Sequence, residues 1–366
     1  MKSYNFFIPT RIIFGKGTIN KLNSFIPRST SKVLIVTDNA IATNTSIITN
    51  ITNLINFETH IFQETEENPS LENVKQGAIQ AVENKIDLII GVGGGSSMDA
   101  AKGIAVLAKN KGELIDYING KEFENSPLPI ICIPTSSGTG SEVTPYAVFT
   151  DPKQEIKTAI AHDKLFPKTS IIDPELTYSM PKHVIINTGL DALTHSIEAY
   201  LSTQSFDLND QLALQSINLI INNLEKATSG EHEAMSNMAH ASMLGGIAIA
   251  HASTILPHIM AYPLTVYYKI PHGKANAIIL PAFLDFMSKH SSDKNKIETV
   301  VNMFKPIGGV DKFINNLGVS TKLSDYGINK SEFEKFADKT IIKGDVKITP
   351  AKITKESIIS IYQAAY

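Results

Sequence analysis

Residues 86–95, Ile86-Asp87-Leu88-Ile89-Ile90-Gly91-Val92-Gly93-Gly94-Gly95, run directly into Ser96-Ser97-Met98-Asp99-Ala100-Ala101-Lys102 and on to Ala108. The first stretch is a short apolar run ending in glycine, the pattern of a buried strand. From Ser96 on, small and apolar residues recur at helical spacing. A strand that turns through glycines into a helix is the setting in which backbone N–H groups and the helix dipole hold a phosphate. Neither the G-x-G-x-x-G pattern nor the P-loop pattern is met here, so the glycines are also consistent with a plain tight turn.

The flanking sequence repeats the same unit. Lys32-Val33-Leu34-Ile35-Val36-Thr37-Asp38 (32–38) and Pro127-Leu128-Pro129-Ile130-Ile131-Cys132-Ile133-Pro134 (127–134) read as buried strands, and 70–81 reads as a helix through Leu71, Val74, Ala78 and Ala81. Strand, helix, strand in this order predicts parallel pairing by right-handed crossovers and a doubly wound sheet, with ligands at the carboxyl ends of the strands. Beyond about residue 180 strand signals become scarce. The segments 184–202, 207–227, 232–253 and 356–365 carry apolar residues three to four apart. The expectation is a 1–179 α/β dinucleotide-binding domain followed by a 180–366 all-helical metal-binding domain, joined near Asp173-Pro174-Glu175.

Composition bounds the chemistry. The chain has 366 residues, a net charge of −3 and 43% hydrophobic residues, which excludes disorder and gives no general pull toward nucleic acid or anionic membrane. A lone Cys132 excludes an internal disulfide and thiolate zinc cages. The opening residues are broken by Pro9 and Arg11 before reaching signal-peptide length, and no apolar run approaches membrane-spanning length. A soluble, cytoplasmic protein is expected. Ten histidines are present, and eight of them lie between His183 and His290, which directs attention to nitrogen and oxygen ligation.

Asp191 and His195 stand four apart in a segment of helical periodicity, so both leave one helix face. His258 and His272 follow. One carboxylate and three imidazoles suit Fe²⁺ or Zn²⁺, although any single histidine is as readily a packed or surface residue. In the first half, Asp38 stands just past a strand end, where it could accept from both hydroxyls of an adenosine ribose or form a turn. The run Thr135-Ser136-Ser137-Gly138-Thr139-Gly140-Ser141-Glu142 brings hydroxyls to the same sheet edge.

With 93–102, 134–144, 173–182, 189–200 and 270–281 taken in order, the chain resembles the iron-containing (group III) alcohol dehydrogenases along nearly its whole length. The resemblance implies a dehydroquinate synthase-like architecture. An α/β N-terminal doubly wound dinucleotide-binding domain is joined to an all-α C-terminal domain, with a cleft for NAD(P) and one divalent metal. It places the metal ligands on Asp191, His195, His258 and His272. It places the pyrophosphate turn on Gly94, Gly95 and Ser96, with Asp99 supporting the helix start. Thr135, Thr139 and Lys157 fall on the nicotinamide side, Asn68 on the adenine side, and Asp38 where a carboxylate goes with NAD rather than NADP. The implied reaction is hydride transfer between nicotinamide C4 and a small alcohol or aldehyde held at the metal, Fe²⁺ first and Zn²⁺ as the alternative, in a homodimer.

The chain departs from the family around the third ligand. Pro257 and Ile259 flank His258, Tyr262 stands where a further histidine is common, and His251 where asparagine is common. Tyr262, His251 and the ribose hydroxyls of the dinucleotide are the candidates for a proton relay. Two rivals share the scaffold, a metal-independent reductase of the maleylacetate type and a dehydroquinate synthase-like lyase. The complete ligand set opposes the first. The scarcity of cations at 251–272 and just beyond, where only Lys269 and Lys274 occur, opposes the second. A non-catalytic nucleotide-binding protein would break the ligand set or the glycine turn, and neither is broken.

Overall fold

The computed structural model describes residues 3–151 and 156–366. The chain divides into two compact units, Phe7–Met180 and a second made of Met1–Phe6 with Pro181–Tyr366.

In the first unit the elements run β1 (Arg11–Phe14), β2 (Lys32–Val36), α1 (Asn39–Asn44), α2 (Ile47–Leu54), β3 (Glu58–Phe62), α3 (Leu71–Glu83), β4 (Leu88–Gly93), α4 (Gly95–Leu107), α5 (Leu114–Ile118), β5 (Ile130–Pro134), β6 (Tyr146–Asp151), β7 (Ile156–Ala161) and β8 (Thr169–Ile172). Six strands form one parallel sheet in the order β1-β8-β5-β4-β2-β3. β2 passes to β3 on one side and β4 to β5 on the other, so the winding reverses between β2 and β4, and ligands sit outside such a reversal.

Alternation along the strands explains why the sheet is covered on both faces. Leu34, Val36, Ile89 and Cys132 pack into one apolar cluster with α3 and α4, whereas Val33, Ile35, Ile90, Ile131 and Ile133 pack into a second with α2. Fully burying each of these aliphatic side chains contributes about 2 kcal/mol. β6 and β7 form a separate antiparallel pair against which α4 also packs. The helix expected over 70–81 begins where Ser70 accepts a hydrogen bond from the Asn73 N–H as its N-cap.

The second unit contains α6 (Lys182–Leu201), α7 (Asp207–Thr228), α8 (His232–Ala252), α9 (Leu256–Tyr268), α10 (His272–His290), α11 (Lys294–Phe304), α12 (Val310–Asn316), α13 (Phe333–Ile341) and α14 (Lys355–Ala364). From Gly189 to Leu201 every residue of α6 is buried, polar ones included, which marks it as the central helix of the unit. α7, α8 and α10 pack around it. The approach of α10 to α6 is so close that a Cβ on Gly273 would lie 1.9 Å from the Asn187 carbonyl oxygen. Before Phe7 the chain lies on this unit, with Tyr4 stacked on Phe206 and Phe6 on His251. The parallel α/β unit and the helical unit are the fold class expected from the sequence.

Candidate functional site

At the carboxyl edge of the sheet, backbone and hydroxyl groups converge on the start of α4. Gly93 has φ of 147°, a conformation open to glycine, and a Cβ there would lie 2.4 Å from Ser97 Oγ. A Cβ on Gly95 would lie 2.5 Å from Thr139 Cγ2, so the loop after β5 closes over the first turn of α4 only because that residue is glycine. No side chain caps α4, which leaves its first N–H groups available to an anion. Thr135 continues the β4–β5 ladder through its N–H to the Gly93 carbonyl, and Thr139 Oγ1 accepts from the Ser141 N–H. Ser137 Oγ is buried with no hydrogen-bond partner among the described residues. These features fit a pyrophosphate, and the hydroxyl-rich loop does meet the glycine turn.

Around this turn, Ser96 Oγ accepts from the Asn68 N–H at 3.1 Å, tying the expected adenine-side residue to the turn. Asn68 itself adopts a left-handed φ of 55°. Asp38 acts as the N-cap of α1, accepting from the Ile41 N–H at 3.0 Å, and its second oxygen lies 3.4 Å from Ser97 Oγ. Asp99 is expected to support the start of α4. Its carboxylate accepts from Ser141 Oγ at 2.6 Å and the Val148 N–H at 2.9 Å, pinning α4 to the loop and to β6. Lys157, on β7, is buried and close enough to act on the charge of Asp99.

One turn beyond Asp99, Lys102 is fully buried. Its ammonium donates to the carbonyls of Ser141, Thr144 and Tyr146 at 2.6–3.0 Å. Burial lowers its pKa and Asp99 opposes that effect. Burial likewise pushes Glu142 up to about 7, with Lys102 holding it back. The signal for Lys102 in the sequence is its position three residues after Asp99 on a helix of small and apolar residues.

In the helical unit, α6 presents Asp191 and His195 on one face, and α9 and α10 bring His258 and His272 to it. Ligand atoms of Asp191, His195 and His258 all lie within 4.8 Å of one another, and all three residues are buried. His258 Nε2 is 3.7 Å and His272 Nε2 4.0 Å from Asp191 Oδ1. Donors about 2.1 Å from a tetrahedral cation stand roughly 3.4 Å apart, so the Asp191–His258 and Asp191–His272 pairs lie within roughly 0.6 Å of that spacing. The His195 ring stacks on His258 with centroids 4.5 Å apart, and the His258 and His272 rings meet edge to face. Burial opposes a charged Asp191, but the three histidines prevail and hold its carboxyl far below the usual range. Three nitrogens and one carboxylate oxygen fit a divalent cation.

Two members of this group escaped the sequence reading. Glu198, fully buried on α6, accepts from the Ile255 N–H and from His258 Nδ1. Burial pushes its carboxyl upward, and His258 draws it back. Asn276, also fully buried, donates through Nδ2 to Asp191 Oδ1 at 2.9 Å, with that nitrogen 3.1 Å from His258 Nε2 and 3.5 Å from His272 Nε2. The Tyr262 ring stacks on His272. The contacts of His251 run to the Ile247 carbonyl, Phe6 and Phe206.

The model of the family described as iron-containing alcohol dehydrogenase matches residues 9–174, and its C-terminal counterpart matches residues 185–366. Long-chain-alcohol dehydrogenase 1 of Geobacillus thermodenitrificans is 31% identical over 388 residues, covering 97% of this chain and 96% of that protein. The NADPH-dependent butanol dehydrogenase of Clostridium saccharobutylicum is 31% identical over 384 residues, covering 99% and 97%. A crystal structure of an iron-containing alcohol dehydrogenase from Thermotoga maritima matches with a TM-score of 0.90 and 34% identity over 99% of both chains. The chain belongs to the iron-containing alcohol dehydrogenase family. It is an alcohol oxidoreductase, and the family is NAD-linked and metal-dependent.

Proposed function

We propose that the protein interconverts a small alcohol and its aldehyde with NAD(H), using one divalent cation held by Asp191, His195, His258 and His272. The observation that carries this reading is the convergence of buried ligand atoms from Asp191, His195 and His258 within 4.8 Å, with His272 beside them. Three imidazoles and a carboxylate suit Fe²⁺ or Zn²⁺, with occupancy set by availability, and membership in the iron-containing family favours Fe²⁺.

When bound, the cation supplies Lewis acidity toward the oxygen of the alcohol or aldehyde, and the dinucleotide supplies the hydride acceptor or donor. The chain's own residues bind and orient. Gly94, Gly95 and Ser96 at the uncapped start of α4 take the pyrophosphate. Asn68 serves the adenine side, and Thr135, Thr139 and Lys157 the nicotinamide side. Asp99 and Lys102 keep the loop after β5 against α4. Burial raises the Tyr262 phenol above its ordinary range, so it keeps its proton and acts as a donor in the relay, with His251 as the alternative.

Asp38 supports NAD over NADP, because its carboxylate stands beside Gly93 and Ser97 and would repel a 2′-phosphate. One relative's name specifies NADPH, so the preference within the family is not uniform. A cytoplasmic location rests on the lone Cys132, which leaves no internal disulfide for an oxidising compartment to form. A homodimer rests on the family resemblance.

The test is a panel of short alcohols and aldehydes with NAD(H) and NADP(H) under anaerobic conditions, after loading with Fe²⁺ or Zn²⁺. Turnover should require the cation and favour NAD(H), and Asp38→Gly should reduce that preference roughly tenfold or more, about 1.4 kcal/mol of discrimination. Full activity of the cation-stripped chain would defeat the metal assignment. A wild-type preference for NADP(H) would defeat the reading of Asp38.

A further inference from the structure

We propose that Glu198 is a positioning residue of the cation site: it fixes the His258 ring so that Nε2 is the nitrogen presented to the cation. The inference rests on the reading of Asp191, His195, His258 and His272 as the cation-holding group.

Asp191, His195 and Glu198 occupy positions i, i+4 and i+7 of α6, one face of one helix. Glu198 has no exposed surface, and both of its oxygens are engaged, Oε2 by the Ile255 N–H at 2.5 Å and Oε1 by His258 Nδ1. A carboxylate in such a place is tolerable only when paired in this way. His258 has two nitrogens facing opposite groups, Nδ1 toward Glu198 and Nε2 toward Asp191 and Asn276. A cation on Nε2 leaves the single ring proton on Nδ1, and that proton needs an acceptor in a space closed to water. Glu198 Oε1 is that acceptor. Carboxylates that hold ligand histidines in this manner set ring rotation and tautomer.

The second oxygen adds a backbone anchor. α8 is closed at its C-terminus by Ser253, a non-glycine residue with φ of 58°, and α9 starts at Leu256, two residues beyond Thr254. By gripping the Ile255 N–H, Glu198 fixes the entry of α9 with the same carboxylate that orients His258 three residues later. α6 thus carries two ligands and the anchor of a third.

The test uses the Zn²⁺-loaded chain, with wild type, His258→Ala and the nearly isosteric Glu198→Gln compared by chelator competition and proton NMR. Glutamine can accept from only one of the two N–H groups and turns its own NH₂ toward the other. Glu198→Gln should therefore weaken Zn²⁺ binding roughly 10- to 100-fold. In wild type the His258 Nδ1–H should give a far-downfield resonance protected from solvent exchange, and that resonance should be shifted or lost in Glu198→Gln. Its absence from wild type overturns the proposal whatever the variant does. Wild-type affinity and an unshifted resonance in Glu198→Gln overturn it while leaving the cation site standing. Failure of wild type to bind Zn²⁺, or undiminished binding by His258→Ala, overturns the site reading itself and the proposal with it.

Discussion

In the α/β unit the groups at the sheet edge are backbone amides and hydroxyls from consecutive strand ends. In the helical unit they are side chains from α6, α9 and α10, and Asn276 meets Asp191 across 85 residues. The first kind of site depends on the absence of side chains, since a Cβ at Gly93 or Gly95 would strike Ser97 or Thr139. The second depends on the presence of particular ones. A backbone-built site is therefore broken by adding a methyl group, and a side-chain-built site by removing a ring.

The sharpest way to test that contrast is His258→Ala. Loss of one ligand should abolish bound cation and lower turnover about 1,000-fold or more, several kcal/mol of lost stabilisation, while NADH binding followed by fluorescence stays measurable. If NADH binding disappears as well, the two sites are not separable. Gly95→Ala should do the reverse. NADH affinity should fall roughly tenfold as the new methyl displaces Thr139, and cation content by mass spectrometry should remain that of wild type. A smaller effect concerns the buried charges of the α/β unit. Because Glu142 has a raised pKa in the fold, its contribution is intact below about pH 4.5 and is lost as pH rises through about 7. Glu142→Gln should lose this slope and gain about 1 kcal/mol over wild type at pH 7 relative to pH 6 in thermal melts. A pH-independent difference would show that the carboxyl is not held in its neutral form.

The central strands and the helix after the glycines were legible because each is a continuous apolar run bounded by turn residues. β1, β3 and β8 were not picked out: β1 and β3 are short, half-exposed edge strands, and β8 is only four residues long. β6, with its alternating burial, was hidden among the loop residues after Glu142. In the helical unit, the spacing in DALTH puts Asp191 and His195 on one helix face, and the family resemblance makes them ligands. Glu198 was passed over because a glutamate in a helix ordinarily faces water, and only tertiary packing buries all sides of α6. Asn276 was passed over for the same reason. The partners of Asp99 were not legible, since local sequence cannot reveal that Ser141 and Val148 fold back onto it.

The contact between Gly273 and Asn187 bears on the order in which the protein matures. Until α10 seats against α6, a nascent chain offers metal at most Asp191, His195 and the Glu198-anchored His258, a set that lacks the α10 ligand. Seating brings His272 and Asn276 to Asp191 in the same movement, because the missing side chain at Gly273 allows the two backbones to touch. The full set of four donors thus requires α10 in place on α6. A chain stalled short of that point would lack His272 and would hold its ion less firmly than the finished protein.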